Sequence, residues 1–491
     1  MLAAFLLLPL AGGLLTAFLP ESRKGEARWI ALFFTTLAFL ISVIMYVMYD
    51  NTVGGLQYVE TTEWVSTDLF TLSFGLGIDG LSAPMILLLG LLSVVAVLIS
   101  WNISEKTGQY FSWLLLLESA VAGVFLSLDL IQFFLFWELE LLPMFMLISR
   151  WGTGRKLYSA TKFLLYTLAG SALMLAGFLL LGAAGGSFNI QTLTDSPVTA
   201  AAIPLGLIFW SIMLAFLVKL PIFPFHTWLP DAHTDAPTAV SVMLAGVLLK
   251  MGGYGILRIA VPLLPEVAYD SQTILATLAG ITIIWGGVIT LRQTDLKRLI
   301  AYSSVSHMGY VLLGVSAMNS VGFSGAAFQM FTHGTITGLL FVMVGYVYER
   351  THTRQISEMS GLMHYLPKGG IIMVIAGLAS LGLPGLSGFV AELAVFLGAL
   401  EPHPVATIFG ILGVVLSSGY ILWTIQRVFH GPPRKEWEHL RDSTAWYEWL
   451  AIAALLIPII LFGINPALLA ESIESGVLPI AQVMEALEEL V

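Results

Sequence analysis

Fourteen apolar runs of spanning length leave this chain of 491 residues little choice of environment. They fall at about 1–20, 29–49, 80–101, 110–128, 130–149, 157–184, 203–227, 236–260, 271–292, 299–318, 322–348, 370–400, 404–429 and 445–465. In hydrocarbon every backbone amide and carbonyl must be satisfied internally, so such runs predict helices. Charged residues make up only 11% of the chain, against roughly 25% in a soluble domain. The expected fold class is an all-α polytopic membrane protein of about fourteen transmembrane helices. The first run carries its charges after it, the reverse of a signal peptide, and reads as a retained helix.

The basic residues set an orientation. If the first loop is cytoplasmic, alternate loops should hold Lys and Arg. Arg23, Lys24 and Arg28 occupy the first loop, Lys106 the third, and Arg150, Arg155, Lys156 and Lys162 border the fifth. Arg292, Lys297 and Arg298 fall in the ninth, Arg350, Arg354 and Lys368 in the eleventh, and Arg427, Arg434, Lys435 and Arg441 in the thirteenth. That places 18 of the 21 basic residues on one side, with only Arg258 opposite, and predicts both termini outside. The outer segments are acidic, notably 50–79 (Asp50, Glu60, Glu63, Asp68) and a tail after 466 that reads as a surface amphipathic helix.

Composition also narrows the chemistry. Without cysteine there are no disulfides, cysteine-held iron–sulfur clusters or thiolate zinc sites. No glycine-rich dinucleotide fingerprint and no Walker loop is present. The expectation is no cofactor in this chain, no nucleic-acid partner, and any electron transfer in other chains.

The stretch Leu205–Arg258 is where costly residues concentrate. Lys219 and Lys250 each sit within an apolar run, and Pro221, Pro224, Pro230 and Pro237 interrupt the segment between them. Ionisable residues at bilayer depth mark ion paths, and interrupted helices are tolerated where they line a cavity. LGLPGLSGFVAE (381–392) repeats the plan, with Glu392 beside a second break. The domain reading is three N-terminal helices (1–105), a five-helix repeat (106–262), its inverted copy (266–432), and a last helix with the acidic tail (433–491).

Few groups at bilayer depth could carry protons: Glu118, Glu138, Glu140, Lys219, Lys250, His307, His333 and Glu392. Glu138 and Glu140 are two residues apart, about 200° around a helix, so only one faces a given path. Glu118 reads equally as a packing hydrogen bond, and His307 and His333 equally as satisfied core histidines. His226, Asp231, His233 and Asp235 resemble a metal cluster by type, but the spacing matches no ligand pattern and capping of helix ends is preferred.

FWELELLPMFMLISRWG (136–152), KLPIFPFHTWLPDAHTDAPTAVSVMLAGVLLKMGGYG (219–255), TDLKRLIAYSSVSHMGYVLLG (294–314) and LGLPGLSGFVAEL (381–393) resemble the antiporter-like membrane subunits of complex I. The type most resembled is NuoM, called NdhD in cyanobacteria and chloroplasts; WELELLP and GRKLYSATKFLLYTLAGS look most like the photosynthetic form. The resemblance spans nearly the whole chain. It implies a proton-translocating subunit of an NAD(P)H- or ferredoxin-driven quinone oxidoreductase, with NAD(P)H, ferredoxin, quinone and iron–sulfur clusters held by partner membrane-arm and other subunits. It implies that Glu138 pairs with Lys219, that Lys250 is the central relay lysine, and that Glu392 ends the relay. His226, His307 and His333 fall on histidines near the polar axis of this type, and Glu118 is a further candidate. A cyanobacterial thylakoid membrane, or otherwise a bacterial inner membrane, is the expected location. The rival readings are a subunit of a multi-subunit Na⁺/H⁺ antiporter or membrane-bound hydrogenase, and a spacer that moves no protons.

Overall fold

The computed structural model describes residues 1–66 and 71–489; Asp68 lies outside the described residues. Among them, twelve helices are long and apolar enough to cross a membrane, and Leu2–Ala17, Leu205–Lys219, Pro367–Ser380 and Ser387–Ala399 are shorter apolar helices. Helix starts are written into the chain. Asp129 accepts hydrogen bonds from the Ile131 and Gln132 amides, Asp295 from Arg298 and Asn319 from Gly322, while Pro367 and Pro404 occupy first-turn positions that lack an amide partner anyway.

Interruptions shape the centre of the molecule. The helix Leu205–Lys219 stops where Pro221 and Pro224 can donate no amide, and the path resumes as Trp228–Asp235. The Trp228 indole donates to the Val218 carbonyl at 3.0 Å, filling a bond the break leaves open. The second break spans 381–386, where Gly382 and Gly385 take φ of +78° and +93° that other residues rarely adopt, before Ser387–Ala399. A third, smaller joint lies at Glu140, between Leu130–Leu139 and Leu141–Trp151. Pro143 has no amide for the Leu139 carbonyl, which is the physical reason for it. The run read as one helix over 130–149 is therefore jointed. Leu244–Leu248 and Ile256–Ala260, flanking Lys250, are wider π-helical turns.

The outer segment read as a loop folds instead into an antiparallel hairpin, Gln57–Ser66 with Thr71–Ile78, in which Glu60 pairs with Leu76 and Thr62 with Phe74. Its run of Tyr58, Val59, Thr61, Thr62, Trp64 and Val65 has the β-branched and aromatic content of a strand. Gly77 lets it lie on Leu128, since a methyl there would meet Leu128 Cδ1 at 3.0 Å. One of the twelve long helices, Ala467–Glu488, runs across a row of helix ends. The Tyr46 hydroxyl donates to the Leu468 carbonyl at 2.6 Å, and Gly80 touches Ser472 backbone so closely that a methyl would lie 2.0 Å from its carbonyl oxygen. Beneath it Arg258, the basic residue out of pattern, donates to Asp79 at 2.7 Å. Its charge is matched on the spot.

The two lysine-bearing helices meet backbone to backbone. A methyl on Gly252 would lie 2.7 Å from both the Phe216 carbonyl oxygen and the Leu220 amide nitrogen. Gly252→Val should therefore destabilise by about 1–3 kcal/mol through overpacking. Gly206→Val, at a position with open space, should not. Thermal unfolding of the two purified variants, side by side, checks this; equal midpoints would contradict it.

Candidate functional site

Lys219 is the last residue of its helix, where unpaired carbonyls favour a cation. Its ammonium donates to Glu140 Oε1, and the two side chains are 1% and 0% exposed. The Trp137 and Phe163 rings stand 5.4 and 5.3 Å from the same nitrogen. The expectation that Glu138 makes this pair is corrected: Glu138 is half-buried, and its Oε1 has no hydrogen-bond partner. Two residues apart on a helix the carboxylates point to different sides, and Glu140 is the one on the side that meets Lys219. Removing one partner of such a pair leaves an uncompensated charge, at a cost of about 3–5 kcal/mol.

Lys250 opens a second buried row. Its ammonium donates to the Ala245 carbonyl, within the π turn, and stands 2.7 Å from His333 Nδ1. His333 Nε2 meets the Thr337 hydroxyl at 3.1 Å, and its ring is 5.7 Å from that of His307. His307 Nδ1 is 3.5 Å from Glu392 Oε1, and its Nε2 is 3.3 Å from the Ser380 hydroxyl. All four groups are buried. His307, His333 and Glu392 line one small cavity with Gln329, Thr332 and Ser380. Lys250, His333, His307 and Glu392 thus form a row of exchangeable protons with steps short enough for hydrogen bonds or single waters. The second break supplies its end: Gly382 leaves room for the Glu392 carboxylate, since a methyl there would meet Oε2 at 2.6 Å.

The remaining expected residues stand apart from these two clusters. His226 accepts the Trp285 indole proton at Nε2, 3.2 Å, and makes no hydrogen bond to the row. Glu118 is buried, with the Ser93 hydroxyl as its polar neighbour. Asp231 is bridged by Lys162 at 2.8 Å and Arg298 at 3.4 Å, and Asp235 accepts the Ser159 hydroxyl at 2.6 Å. Among the described residues no three His, Asp or Glu gather as a metal site. In the sequence His233 reads as a capping residue of a turn. It is fully buried, flat against Phe341 at 4.7 Å, with neither ring nitrogen hydrogen-bonded and with Lys297 and Lys250 as its neighbouring charges. Its place between two basic helices could have been suspected from its proximity in sequence to Lys250, but its burial could not.

Residues 127–417 match the family described as NADH:quinone oxidoreductase/Mrp antiporter, transmembrane. The chain is 38% identical over 497 residues to NADH-quinone oxidoreductase subunit M of Rhodobacter capsulatus, covering 98% of this chain and 96% of that one. It is 40% identical over 495 residues to an NAD(P)H-quinone oxidoreductase chain 4 of Thermosynechococcus vestitus, covering 98% and 92%. A chain in the structure of respiratory complex I from Thermus thermophilus superposes with a TM-score of 0.90 at 29% identity, over 99% of this chain and all of that one. The two sequence relatives are so nearly equal in identity that they do not separate the subunit M and chain 4 types.

Gly382→Ala tests the fit at the end of the row. The added methyl both strains a φ of +78° and displaces the Glu392 carboxylate from His307. The infrared carboxyl band assigned by its loss in Glu392→Gln should shift in Gly382→Ala; an unmoved band would show that the glycine does not position the carboxylate.

Proposed function

Because the chain belongs to the NADH:quinone oxidoreductase/Mrp antiporter transmembrane family, we propose that it is a proton-translocating membrane-arm subunit of an NAD(P)H- or ferredoxin:quinone oxidoreductase. The observation that carries this is the buried row Lys250–His333–His307–Glu392, beside the buried Lys219–Glu140 pair. Groups that ionise at such depth are costly, and lining them up gives a path along which a proton can pass by hydrogen-bond exchange. Lys219, with Glu138 and Glu140, sits at the input end of the electrostatic chain; Lys250 is central and Glu392 terminal. His307 and His333 bridge the last two, while His226 and Glu118 act as flanking members that need water to join.

In this reading redox chemistry in partner subunits supplies the energy. A shift of charge near Lys219 changes the proton affinity of Lys250, because interactions between buried charges are weakly screened. The two broken helices support an arrangement of two inverted five-helix repeats. The crossings are fourteen when Leu2–Ala17 and each broken helix count once and the helix Ala467–Glu488 is left on the surface. The lysine and arginine pattern supports both termini on the lumenal or periplasmic side, and the chain 4 relatives support a thylakoid location.

The names of the relatives favour the oxidoreductase over an Na⁺/H⁺ antiporter, and the buried charges weigh against a passive spacer. The deciding experiment uses vesicles carrying the assembled complex, with proton uptake and quinone reduction followed together. Lys250→Ala and Lys219→Ala should each assemble, slow coupled turnover and lower protons moved per quinone reduced several-fold. An unchanged ratio in both assembled variants would leave the spacer reading in place; a sodium requirement would favour the antiporter.

A further inference from the structure

Between Lys250 and Glu392 the buried row crosses from the helix Ser320–Thr351, which bears His333, to Leu296–Ser316, which bears His307. At the crossing the two rings stand 5.7 Å apart and tilted by 54°, and every ring nitrogen already faces another group. We propose that the proton passes between the histidines by way of a single bound water, held by the Thr337 and Ser380 hydroxyls and oriented by Gln329. This rests on the reading of the chain as a proton-translocating subunit.

Gln329, His333 and Thr337 follow one another at four-residue intervals, on one face of their helix. Thr332, Thr335 and Thr351 on that helix donate to its own carbonyls, whereas the Thr337 hydroxyl meets the His333 ring, at 3.1 Å from Nε2. The Lys250 ammonium donates to Nδ1, so a neutral His333 carries its proton on Nε2 and donates it to the Thr337 oxygen. The hydroxyl proton of Thr337 is then left for the cavity. Across it Ser380, the last residue of its helix before the second break, stands 3.3 Å from His307 Nε2. His307 Nδ1 faces the Glu392 carboxylate at 3.5 Å and carries the ring proton, which makes Nε2 an acceptor for the Ser380 hydroxyl. Each histidine is thus capped by a hydroxyl. One hydroxyl has a proton to give, the other an oxygen to receive it.

Thr337, Ser380, Gln329, both histidines and Glu392 line the same cavity, of about 10 Å³. That is room for about one water. Gln329 is 3% exposed, and its Oε1 accepts no hydrogen bond from the protein. A buried amide oxygen without a donor is costly, and a water in this cavity supplies the donor. Accepting from Thr337 and donating to Ser380 and Gln329, that water makes about three hydrogen bonds, as buried waters do. Every donor on the line then points from Lys250 towards Glu392. When a proton moves, each N–H or O–H breaks as the next one forms. Lys250 is left neutral, Glu392 protonated and both imidazoles in their other tautomer; the hydroxyls and the water are regained, turned, and must reset before the next passage. Gln329 carries no proton in this scheme. It is a positioning residue.

The test uses the assembled complex in vesicles and reads protons moved per quinone reduced. Thr337→Val and Ser380→Ala each remove one hydroxyl and should lower the ratio several-fold, while Thr337→Ser, which keeps the hydroxyl, should restore most of it. Gln329→Leu should also lower the ratio, and it has a separate signature. An infrared O–H band that shifts in water labelled with heavy oxygen should be present in the wild type and lost or displaced in Gln329→Leu. Unchanged ratios in both Thr337→Val and Ser380→Ala would mean that the rings exchange directly, and would overturn the proposal. So would a wild type without such a band, or a band that Gln329→Leu leaves in place. Should one hydroxyl variant fail to assemble, the other, on the opposite side of the cavity, still decides. Lys250→Ala separates the two levels. An unchanged ratio there defeats the translocation reading itself, whereas a lowered ratio with Thr337→Val and Ser380→Ala unaffected defeats only the water.

Discussion

A lysine ammonium and a carboxylate, both removed from water, are the constraint around which this molecule is arranged. The Lys219–Glu140 pair has no solvent to share the field, so its surroundings must supply what water would. They do so with a helix that ends at the lysine, two aromatic rings over its nitrogen, and a neighbouring helix that presents the carboxylate from its buried side. Each of these is a local departure from a smooth membrane helix. The departures cluster where the charges are.

The same logic recurs at the other end of the buried row. Glu392 follows a break made possible by two glycines in left-handed backbone, and one of them clears the space its carboxylate fills. At Lys250 the backbone widens into a π turn whose carbonyl receives the ammonium. Proline, glycine and π turns are three ways of freeing backbone polar groups inside a membrane, and here an example of each stands near Lys219, Glu392 or Lys250. Helix irregularity and charge are one design element rather than two.

Much of this is written plainly in the chain. Apolar runs of this length give helices because a helix satisfies every backbone group within the run itself, and the clustering of Pro221 with Pro224 and of the LGLPG glycines marks the breaks. The identity of the Lys219 partner is a different kind of fact. Glu138 and Glu140 differ by two positions, and the choice between them turns on which side of the helix meets the one that carries Lys219. The hairpin went unread because acidic residues in 50–66 signal solvent, and its strand character shows only in the β-branched and aromatic residues between them. His233 went unread because burial depends on what a neighbouring helix, here the one bearing Phe341, brings over it. Local chemistry is legible in one dimension; partner choice is a property of packing.

The helix Ala467–Glu488 has a bearing on how the molecule comes to exist. Its backbone meets that of Gly80 and Leu81 at distances that leave no room for a side chain, and it closes over the Arg258–Asp79 bridge. Those partners belong to the early and middle parts of the chain, made long before the tail. Helices inserted first must therefore wait, with an unfinished outer face, until the helix Ala467–Glu488 has emerged and crosses over them. Closure of this face waits on that one helix, so a chain cut before it would leave the Arg258–Asp79 bridge open on its outer side.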